Sequence, residues 1–359
     1  MRGMNPRPAS PATPPPWRRP GVAAALAAAV LFGAGTPIAK QLLAGIDPWM
    51  LAGLLYLGSG LGLGAWRIVR RAAPVRLPVD QWLWLAGAVL AGGVAGPVLL
   101  MFGLSRMPAS GASLLLNAEA VFTALLAWFV FGENVDRRVA TGMLAIVAGA
   151  VVLSWPGEAR FGDAWPALAV LGACAAWAVD NNLTRKVALN DATWIAAVKG
   201  LAAGLVNLLL AGASGSALPP AALVASAMAL GLAAYGISLA LFVVGLRHLG
   251  TARTGAYFSV APFFGALLAV AGLGEPVSAA LLAAGSLMAL GVWLHLSEQH
   301  VHRHTHEVIE HTHEHEHDAH HAHAHADGAA AVRHSHWHRH DALTHTHGHF
   351  PDEHHRHTH

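Results

Sequence analysis

The chain has 359 residues, of which 55% are hydrophobic and 12% are charged. An ordinary soluble domain carries about 25% charged residues, so this composition excludes a soluble domain of that size and indicates a membrane protein. A single cysteine, Cys174, excludes a secreted fold held together by disulfides.

The chain begins and ends in segments of unusual composition. Residues 1–20 contain seven prolines and are predicted to be disordered. Residues 298–359 hold 14 of the charged residues and 23 of the 25 histidines, and are predicted to be a disordered, histidine-rich tail.

Ten apolar stretches between these segments have about the 20 residues that a membrane-spanning helix needs. Strands of a membrane barrel are about 10 residues long and alternate in polarity, so a helical bundle is predicted. The first stretch follows Arg18 and Arg19 but is too long for a typical signal peptide, so we expect an uncleaved helix. The stretches lie near residues 21–44, 49–69, 82–104, 109–131, 138–155, 164–187, 193–212, 221–246, 251–273 and 277–296.

The distribution of Lys and Arg predicts the orientation, because cytoplasmic connections are enriched in these residues. If the N-terminus is cytoplasmic, Arg106 and Arg160 are the only Lys or Arg residues that fall clearly on the opposite, non-cytoplasmic side of the membrane. Lys40 lies close to that non-cytoplasmic side. Both termini of a ten-span, multi-pass inner-membrane protein are then cytoplasmic. The residues on the cytoplasmic side are Arg18, Arg19, Arg67, Arg70, Arg71, Arg76, Arg137, Arg138, Arg185, Lys186, Arg247 and Arg253.

The chain contains an internal repeat with an offset of 142 residues. The tetrapeptide Ala-Leu-Leu-Ala recurs at 124–127 and 266–269, and Gly-Glu recurs at 132–133 and 274–275. The repeat divides the bundle into five spans over 21–155 and five over 164–296. Because five is odd, the second copy must cross the membrane in the opposite sense. Two inverted five-helix repeats are typical of alternating-access transporters, which bind substrate near the mid-membrane.

Several motifs resemble those of a known family. Residues 113–128, closing at Gly132-Glu133, resemble the fourth helix of EamA-type permeases of the drug/metabolite transporter superfamily. Residues 251–257 with Ala261-Pro262-Phe263 resemble its counterpart, and 33–40 is similar to the family's first helix. The resemblance implies a permease and no enzyme. It leaves the substrate open, because one scaffold serves many metabolites.

Ionisable residues inside the membrane are costly, at about 3 kcal/mol each, and are therefore candidate functional residues. Glu119 lies at the middle of the fourth span and is interpreted as a contact for substrate or a coupling proton, or as a structural carboxylate. Asp180 and Lys199 lie at similar depths on consecutive spans and could meet, either as a structural ion pair or as a gate. The other residues predicted along the substrate pathway are Asn117, Asn181, Asn182 and Tyr257.

Adjacent residues on a helix point about 100° apart, so Asp180, Asn181 and Asn182 cannot all face one cavity. None of the three lysines is followed by Ser or Thr, so the sequence lacks a phosphate-binding loop of the nucleotide-hydrolysing type. A proton, an ion or the substrate's own gradient is therefore the expected energy source.

The tail repeats His at alternate positions, and imidazole suits Zn, Ni, Co and Cu. We expect the tail to bind a divalent transition metal, although a pH-responsive tail is an alternative, since His titrates near neutrality. The predicted metal ligands are His300, His302, His304, His306, His311, His313, His315, His317, His320, His321, His323, His325, His334, His336, His338 and His340.

The sequence thus predicts an all-α integral membrane permease that moves a small metabolite. Transition-metal efflux is a second hypothesis, although His248, His295 and Cys174 are the only His or Cys in the bundle. A membrane-anchored metal-storage protein is a third. The expected partners are a small-molecule substrate, the lipid bilayer and divalent metal ions, with no nucleic acid, and the chain is compatible with a homodimer.

Overall fold

A computed structural model describes the chain as two compact units, Met1–Glu298 and Gln299–His359. Within the first unit, the described residues are 20–131, 137–154, 164–187, 190–249, 254 and 257–296. Within the second, they are the four strands 300–306, 309–315, 334–340 and 343–349. The N-terminal segment predicted to be disordered lies outside the described residues, apart from Pro20.

The first unit is built from helices. They are α1 (Pro20–Leu42), α2 (Pro48–Val69), α3 (Gln81–Ala88), α4 (Gly96–Arg106), α5 (Ala109–Leu115), α6 (Ala118–Phe131), α7 (Arg137–Ser154), α8 (Trp165–Thr184), α9 (Ala192–Ala213), α10 (Ala221–Gly231), α11 (Ser238–Leu249), α12 (Ala261–Leu273) and α13 (Ala279–Leu296). A π-helical segment, Val89–Ala95, joins α3 to α4, and another, Leu232–Ile237, joins α10 to α11.

Within the part of the chain that the structure describes, five of the predicted spans are helices long and apolar enough to cross a membrane. The fourth predicted span, 109–131, is instead broken between α5 and α6, and the described part of the ninth begins its continuous helix at Ala261. Large apolar side chains such as Leu83, Leu205 and Leu267 are exposed on the bundle, as expected for a surface that faces lipid. The five helices are Gly21–Leu42, Pro48–Val69, Gln81–Arg106, Ala192–Ala213 and Ala221–Gly245.

The helix boundaries repeat with the offset seen in the sequence. Shifted by 142 residues, α7 coincides with α13, and α4 coincides with α11 to within one residue. The π-helical segments also recur at equivalent places, and the turn at 116–117 corresponds to the turn at 259–260 within one residue. The two halves therefore share local irregularities as well as helix lengths.

Packing between the halves is reciprocal. Helix α1 packs against α11 and α12, while its counterpart α8 packs against α4 and α6. The equivalent helices α2 and α9 pack against each other, as do α7 and α13.

Glycines bring α2 and α9 together. A Cβ on Gly60 would overlap the backbone of Leu201, and a Cβ on Gly204 would overlap the backbone of Leu57. A shift of 144 residues converts Gly60 into Gly204 and Leu57 into Leu201, so the two contacts are equivalent in the two halves. Close approach at small residues is common between membrane helices.

The described residues of the tail unit form two antiparallel ribbons. Strand β1 (His300–His306) pairs with β4 (Leu343–His349), and β2 (Ile309–His315) pairs with β3 (His334–His340). His alternates with Thr, Val and other residues along each strand, and alternation with a period of two is typical of β-strands.

Candidate substrate pathway

Glu119 lies in the first turn of α6, immediately after the break in the fourth predicted span. The α5 helix ends at Leu115, and the turn that follows is closed by hydrogen bonds from Asn117 N to Leu114 O and from Glu119 N to Leu116 O. A carboxylate in the first turn of a helix is stabilised by the helix dipole. The break thus gives Glu119 a favourable helix N-terminus.

One oxygen of Glu119 has a polar partner on the other half of the chain. Asn181 Nδ2 donates a hydrogen bond to Glu119 Oε1 over 2.8 Å. Glu119 is half-buried and Asn181 is exposed, so this pair borders open space. An amide supplies no positive charge, so the described contacts leave the Glu119 carboxyl without a cationic partner.

Asp180 and Lys199 meet as the sequence predicts. Lys199 Nζ lies 2.5 Å and 2.7 Å from the two Asp180 oxygens, and both residues are buried, at 8% and 7% exposure. Thr184 Oγ1 donates to Asp180 Oδ1 and accepts from Lys199 Nζ. The pair is therefore neutral as a unit and has a third polar residue that completes its hydrogen bonding.

The π-helical segment 89–95 lies directly against this ion pair, because a Cβ on Gly92 would overlap the Asp180 carboxylate. Gly96 N donates to Ala91 O, and Pro97 has no N–H, so Gly92 O lacks a donor within its own helix. Tyr56 Oη and Trp177 Nε1 donate to that oxygen over 2.7 Å and 2.9 Å.

The same proline leaves a second carbonyl without a donor. Gly93 O is four residues before Pro97 and accepts a hydrogen bond from Asn207 Nδ2 over 2.9 Å. Asn207 is completely buried, so this bond lies inside the bundle. Side chains from α2, α8 and α9 thus converge on one irregular segment of the third predicted span.

Aromatic rings from both halves lie next to these hydrogen bonds. The Phe32 ring contacts the rings of Trp177, Tyr235 and Phe258 at centroid distances of 6.3, 5.9 and 5.3 Å. Tyr235 belongs to the second π-helical segment and also contacts Tyr56. Since Trp177 and Asn181 are four residues apart on α8, the aromatic cluster lies one helical turn from Glu119.

The remaining predicted pathway residues have different surroundings. Asn117 is buried and donates to Leu114 O, with Met288 Sδ 3.8 Å away. Asn182 donates to Ala178 O of its own helix. Tyr257 is half-buried. As expected, Asp180, Asn181 and Asn182 therefore engage three different partners.

Sequence reasoning missed Tyr56, Trp177, Tyr235 and Asn207. Pro97 was the sequence feature that pointed to this site, because a proline inside a helix leaves backbone carbonyls of the preceding turn without an N–H donor. It does not identify the side chains that donate instead. An apolar groove of ≈ 350 Å³, lined in part by Phe263, Leu267 and Trp293, contains none of these polar residues.

Two charged residues hold the turn between α4 and α5. Lys40 Nζ donates to Leu104 O over 2.7 Å at the end of α4. Glu275 accepts hydrogen bonds from Ala109 N and Ser110 N, over 2.7 and 2.8 Å, at the start of α5. A cation at a helix C-terminus and an anion at an N-terminus are both favourable. We call this arrangement the Lys40–Glu275 clamp.

The repeated Gly-Glu motif builds one side of the clamp. Gly274 ends α12 in the left-handed conformation, with φ of 67°, which favours glycine. The chain then places Glu275 against α5 in the other half. Glu133, the equivalent residue of the first copy, lies outside the described residues.

Arg67 and Asp191 pair at the end of α2 and the start of α9. Arg67 Nη1 lies 2.8 Å from Asp191 Oδ1. Partial burial raises the pKa of Asp191, but hydrogen bonds from Thr193, Arg67 and Trp194 N outweigh it and lower that pKa to about 2.

This duplicated helical bundle, with a polar centre at a broken helix, defines the class of the protein as a multi-pass integral membrane transporter. The sequence profile of the EamA-like transporter family matches residues 19–155 and 164–297, one match for each half. The chain belongs to the EamA-like transporter family.

Individual proteins are similar over most of the chain. An uncharacterized transporter of Methanothermobacter thermautotrophicus is 27% identical over 76% of this chain and 85% of its own length. A protein of Streptantibioticus cattleyicolor named "Probable terminal-alkyne amino-acid exporter" is 30% identical over 70% of this chain and 85% of its own length. A crystal structure of a protein, 21% identical, matches the fold with a TM-score of 0.60 over 76% of this chain and 95% of that chain.

Proposed function

We propose that this protein is a secondary transporter that moves a small, amine-bearing metabolite across the inner membrane by alternating access. The observation that carries the proposal is the Glu119 carboxylate, which lies half-buried at a helix break and is held by Asn181 of the other half. Its charge has no cationic partner among the described side-chain contacts of that carboxylate. A substrate ammonium group or a proton would supply one.

We further propose ten spans arranged as two inverted halves. Each half holds an odd number of predicted spans, and reciprocal packing of α2 with α9 and of α7 with α13 supports a two-fold relation between the halves. Broken helices at the repeat interface are the usual place for substrate in such transporters. Lys and Arg in the connections favour cytoplasmic termini.

The two charged contacts at the helix ends are suited to be gates. In the Lys40–Glu275 clamp, Glu275 of the second half accepts hydrogen bonds from Ala109 N and Ser110 N of the first half. The Arg67–Asp191 pair also joins the halves, through α2 and α9. In the proposed topology these contacts lie at opposite faces, so each could close one entrance to the centre.

The substrate class follows from the charges and is supported by a relative. The Asp180–Lys199 pair is internally neutralised, which leaves Glu119 as the acid able to recognise a cation. The Streptantibioticus protein is named as a probable exporter of a terminal-alkyne amino acid. An apolar amino acid carries the required ammonium group, and its side chain could lie against the aromatic rings around Phe32.

The test uses the full chain in proteoliposomes loaded with a labelled amino-acid mixture, with the N-acetylated mixture and ZnCl₂ as comparisons. We expect exchange of the free amino acids and little exchange of the acetylated ones. Because a desolvated charge pair contributes about 2–5 kcal/mol, Glu119→Gln should lower exchange at least tenfold. Ser226→Ala is the control, because that exposed hydroxyl donates to Ala222 O of its own helix and lies outside the predicted pathway.

Three outcomes contradict the proposal. Zn²⁺ movement without amino-acid exchange would favour metal efflux. Full, pH-independent exchange by Glu119→Gln would remove Glu119 from the pathway. If no solute moves, the metal-storage alternative gains support.

The tail is proposed to bind divalent Zn, Ni, Co or Cu on the cytoplasmic side, as an addition to the transporter. His density supports this assignment, because 23 histidines lie in residues 298–359. A chain stopped after Ser297 should keep amino-acid exchange and lose metal binding. Loss of both activities would make the tail part of the transport mechanism. Homodimer formation stays a prediction, to be checked by light scattering.

A further inference from the structure

An apolar groove is lined by residues of α12 and α13. It has a volume of about 350 Å³, and the described residues that line it are all apolar. They recur at intervals of three and four along each helix, so each helix contributes one face. Six of them are Phe263, Phe264 and Leu267 of α12 and Ala289, Val292 and Trp293 of α13.

The groove has a packed floor and exposed walls. Helix α12 packs mainly against α1 and α5, whereas α13 packs mainly against α7, so these consecutive helices have different principal neighbours. Phe263 packs against the buried cluster that contains Val292, which closes the floor. Leu267 and Trp293 remain 62% and 55% exposed. The walls are therefore open to an apolar chain that lies along the groove.

A cation lies at the rim of the groove. Arg138, in the first turn of α7, is exposed, and its guanidinium carbon is 5.5 Å from the centre of the Trp293 ring. A close helix crossing fixes this position, because a Cβ on Gly291 would lie 2.6 Å from Gly142 O. Since Trp293 lines the groove, a positive charge is held beside an apolar surface.

We propose that the groove binds an anionic phospholipid, with one acyl chain along the groove and the phosphate group against Arg138. Arginine is suited to phosphate because its planar guanidinium presents several N–H donors in a fixed geometry. Trp293 lies one turn before the end of α13 at Leu296. Trp residues near the ends of membrane helices lie at the level of the lipid headgroups, so the charge and the phosphate share one depth.

The dimensions favour a lipid over a second copy of the chain. A helix with its side chains is about 10–12 Å across. A groove of about 350 Å³ therefore admits side chains of a second copy but not its helix. An isologous dimer through this face would also bring two Arg138 charges to one interface.

A bound lipid would join three helices. Its phosphate would contact α7 through Arg138, and its acyl chain would contact α12 and α13. A ligand that binds the folded chain and not the unfolded chain raises the melting temperature. Thermal unfolding therefore reports on the site independently of transport.

The test measures lipid binding to the full-length chain in detergent. The probes are dipalmitoyl phosphatidylglycerol, dipalmitoyl phosphatidylcholine, which has the same chains, and dihexanoyl phosphatidylglycerol, which has the same headgroup. Native mass spectrometry counts the bound lipid, and thermal unfolding measures its effect on stability. Dipalmitoyl phosphatidylglycerol should be retained best and raise the melting temperature most, because it supplies both the long chain and the negative charge.

Two variants separate the charge from the groove. Arg138→Gln should weaken binding of dipalmitoyl phosphatidylglycerol about fivefold, which corresponds to about 1 kcal/mol for one basic residue near anionic lipid. Ala289→Phe fills the groove from an exposed position and should abolish retention while Arg138 is kept. Arg70→Gln is the matched control, because Arg70 lies 4.9 Å from the ring of Trp66, which is outside the groove. Melting temperatures without added lipid show whether each variant folds.

Equal retention of the two dipalmitoyl lipids, or of the two phosphatidylglycerols, would overturn the proposed site. Full retention by Ala289→Phe or by Arg138→Gln would do the same. A lipid-free dimer that Ala289→Phe dissociates would assign the groove to a second copy instead. Binding is measured without transport, so its failure does not bear on amino-acid exchange.

Discussion

The two halves of the bundle share their helix boundaries and their π-helical segments but differ in their polar residues. At an offset of 142, Glu119 corresponds to Ala261 and Asp180 corresponds to Ile38. The first half supplies Glu119 and the second supplies Asn181, Asp180 and Lys199. Duplication thus explains the scaffold, whereas the chemistry depends on how the copies have diverged.

The clamp shows the same divergence on a smaller scale. Lys40 donates to a carbonyl at the end of α4, but its equivalent at an offset of 142, Asn182, donates within its own helix. One end of the bundle is therefore held by a charge where the corresponding residue of the other copy makes a local bond. The changes below test whether these differences matter.

The largest expected effect comes from breaking the Asp180–Lys199 pair. Lys199→Met leaves a buried carboxylate uncompensated and should lower the free energy of unfolding by about 3–5 kcal/mol. The double change Asp180→Ile with Lys199→Leu makes both positions apolar, as Ile38 already is in the first half, and should recover most of that loss. Thermal unfolding in detergent measures both.

An equal loss in the single and double variants would show that the pair is not an energetic unit. If the double variant folds but no longer exchanges amino acids, the pair acts in transport. The charge-swapped variant Asp180→Lys with Lys199→Asp provides a second check of the same distinction.

The next effect concerns the π-helical segment of the first half. Asn207→Leu leaves Gly93 O buried without a donor, which costs about 1–3 kcal/mol. Tyr56→Phe should cost less, about 1 kcal/mol, because Trp177 still donates to Gly92 O. Ser226→Ala, whose hydroxyl bonds within an exposed helical turn, should leave the melting temperature unchanged. A larger loss from Tyr56→Phe than from Asn207→Leu would contradict this account.

A smaller effect is expected at the clamp. Glu275→Gln removes the anion at the start of α5 and keeps only one of the two oxygens that accept from Ala109 N and Ser110 N, so it should reduce stability by about 1 kcal/mol. If the clamp is a gate, the exchange rate should change by more than the stability does. Lys40→Met is the companion variant, and unaltered exchange in both would exclude a gating role.

The smallest effect depends on pH. The pKa of Asp191 is lowered from 3.8 to about 2, so its contribution to stability is complete above about pH 4 and disappears as the pH falls toward 2. Asp191→Asn should remove this acid-dependent part of the unfolding curve, because the variant lacks the contribution at every pH: it should be less stable than the unaltered chain at neutral pH and match it near pH 2. An unchanged acid limb would show that Asp191 pairs equally well in the unfolded chain.

Much of the fold follows from residue composition and periodicity. Apolar stretches identify the spans, and the Gly-Glu repeat identifies the duplication, because both reflect constraints that every membrane helix or repeat must meet. The break inside 109–131 was not predicted, since Leu116 and Asn117 do not by themselves end a helix. In the structure, Cys174 and Met288 of the second half contact the turn, at Leu115 O and at the Asn117 side chain.

For the site, the sequence alone predicted Glu119 at the middle of its span, and Asp180 and Lys199 at matching depths. These predictions were possible because ionisable residues inside apolar spans are costly and therefore rare. It did not identify what these residues contact. Tyr56 and Trp177 reach Gly92 from 36 and 85 positions away along the chain. A sequence pattern records whether a residue faces lipid or protein, but the partner of a buried polar group depends on where helices cross, and only the tertiary structure sets that.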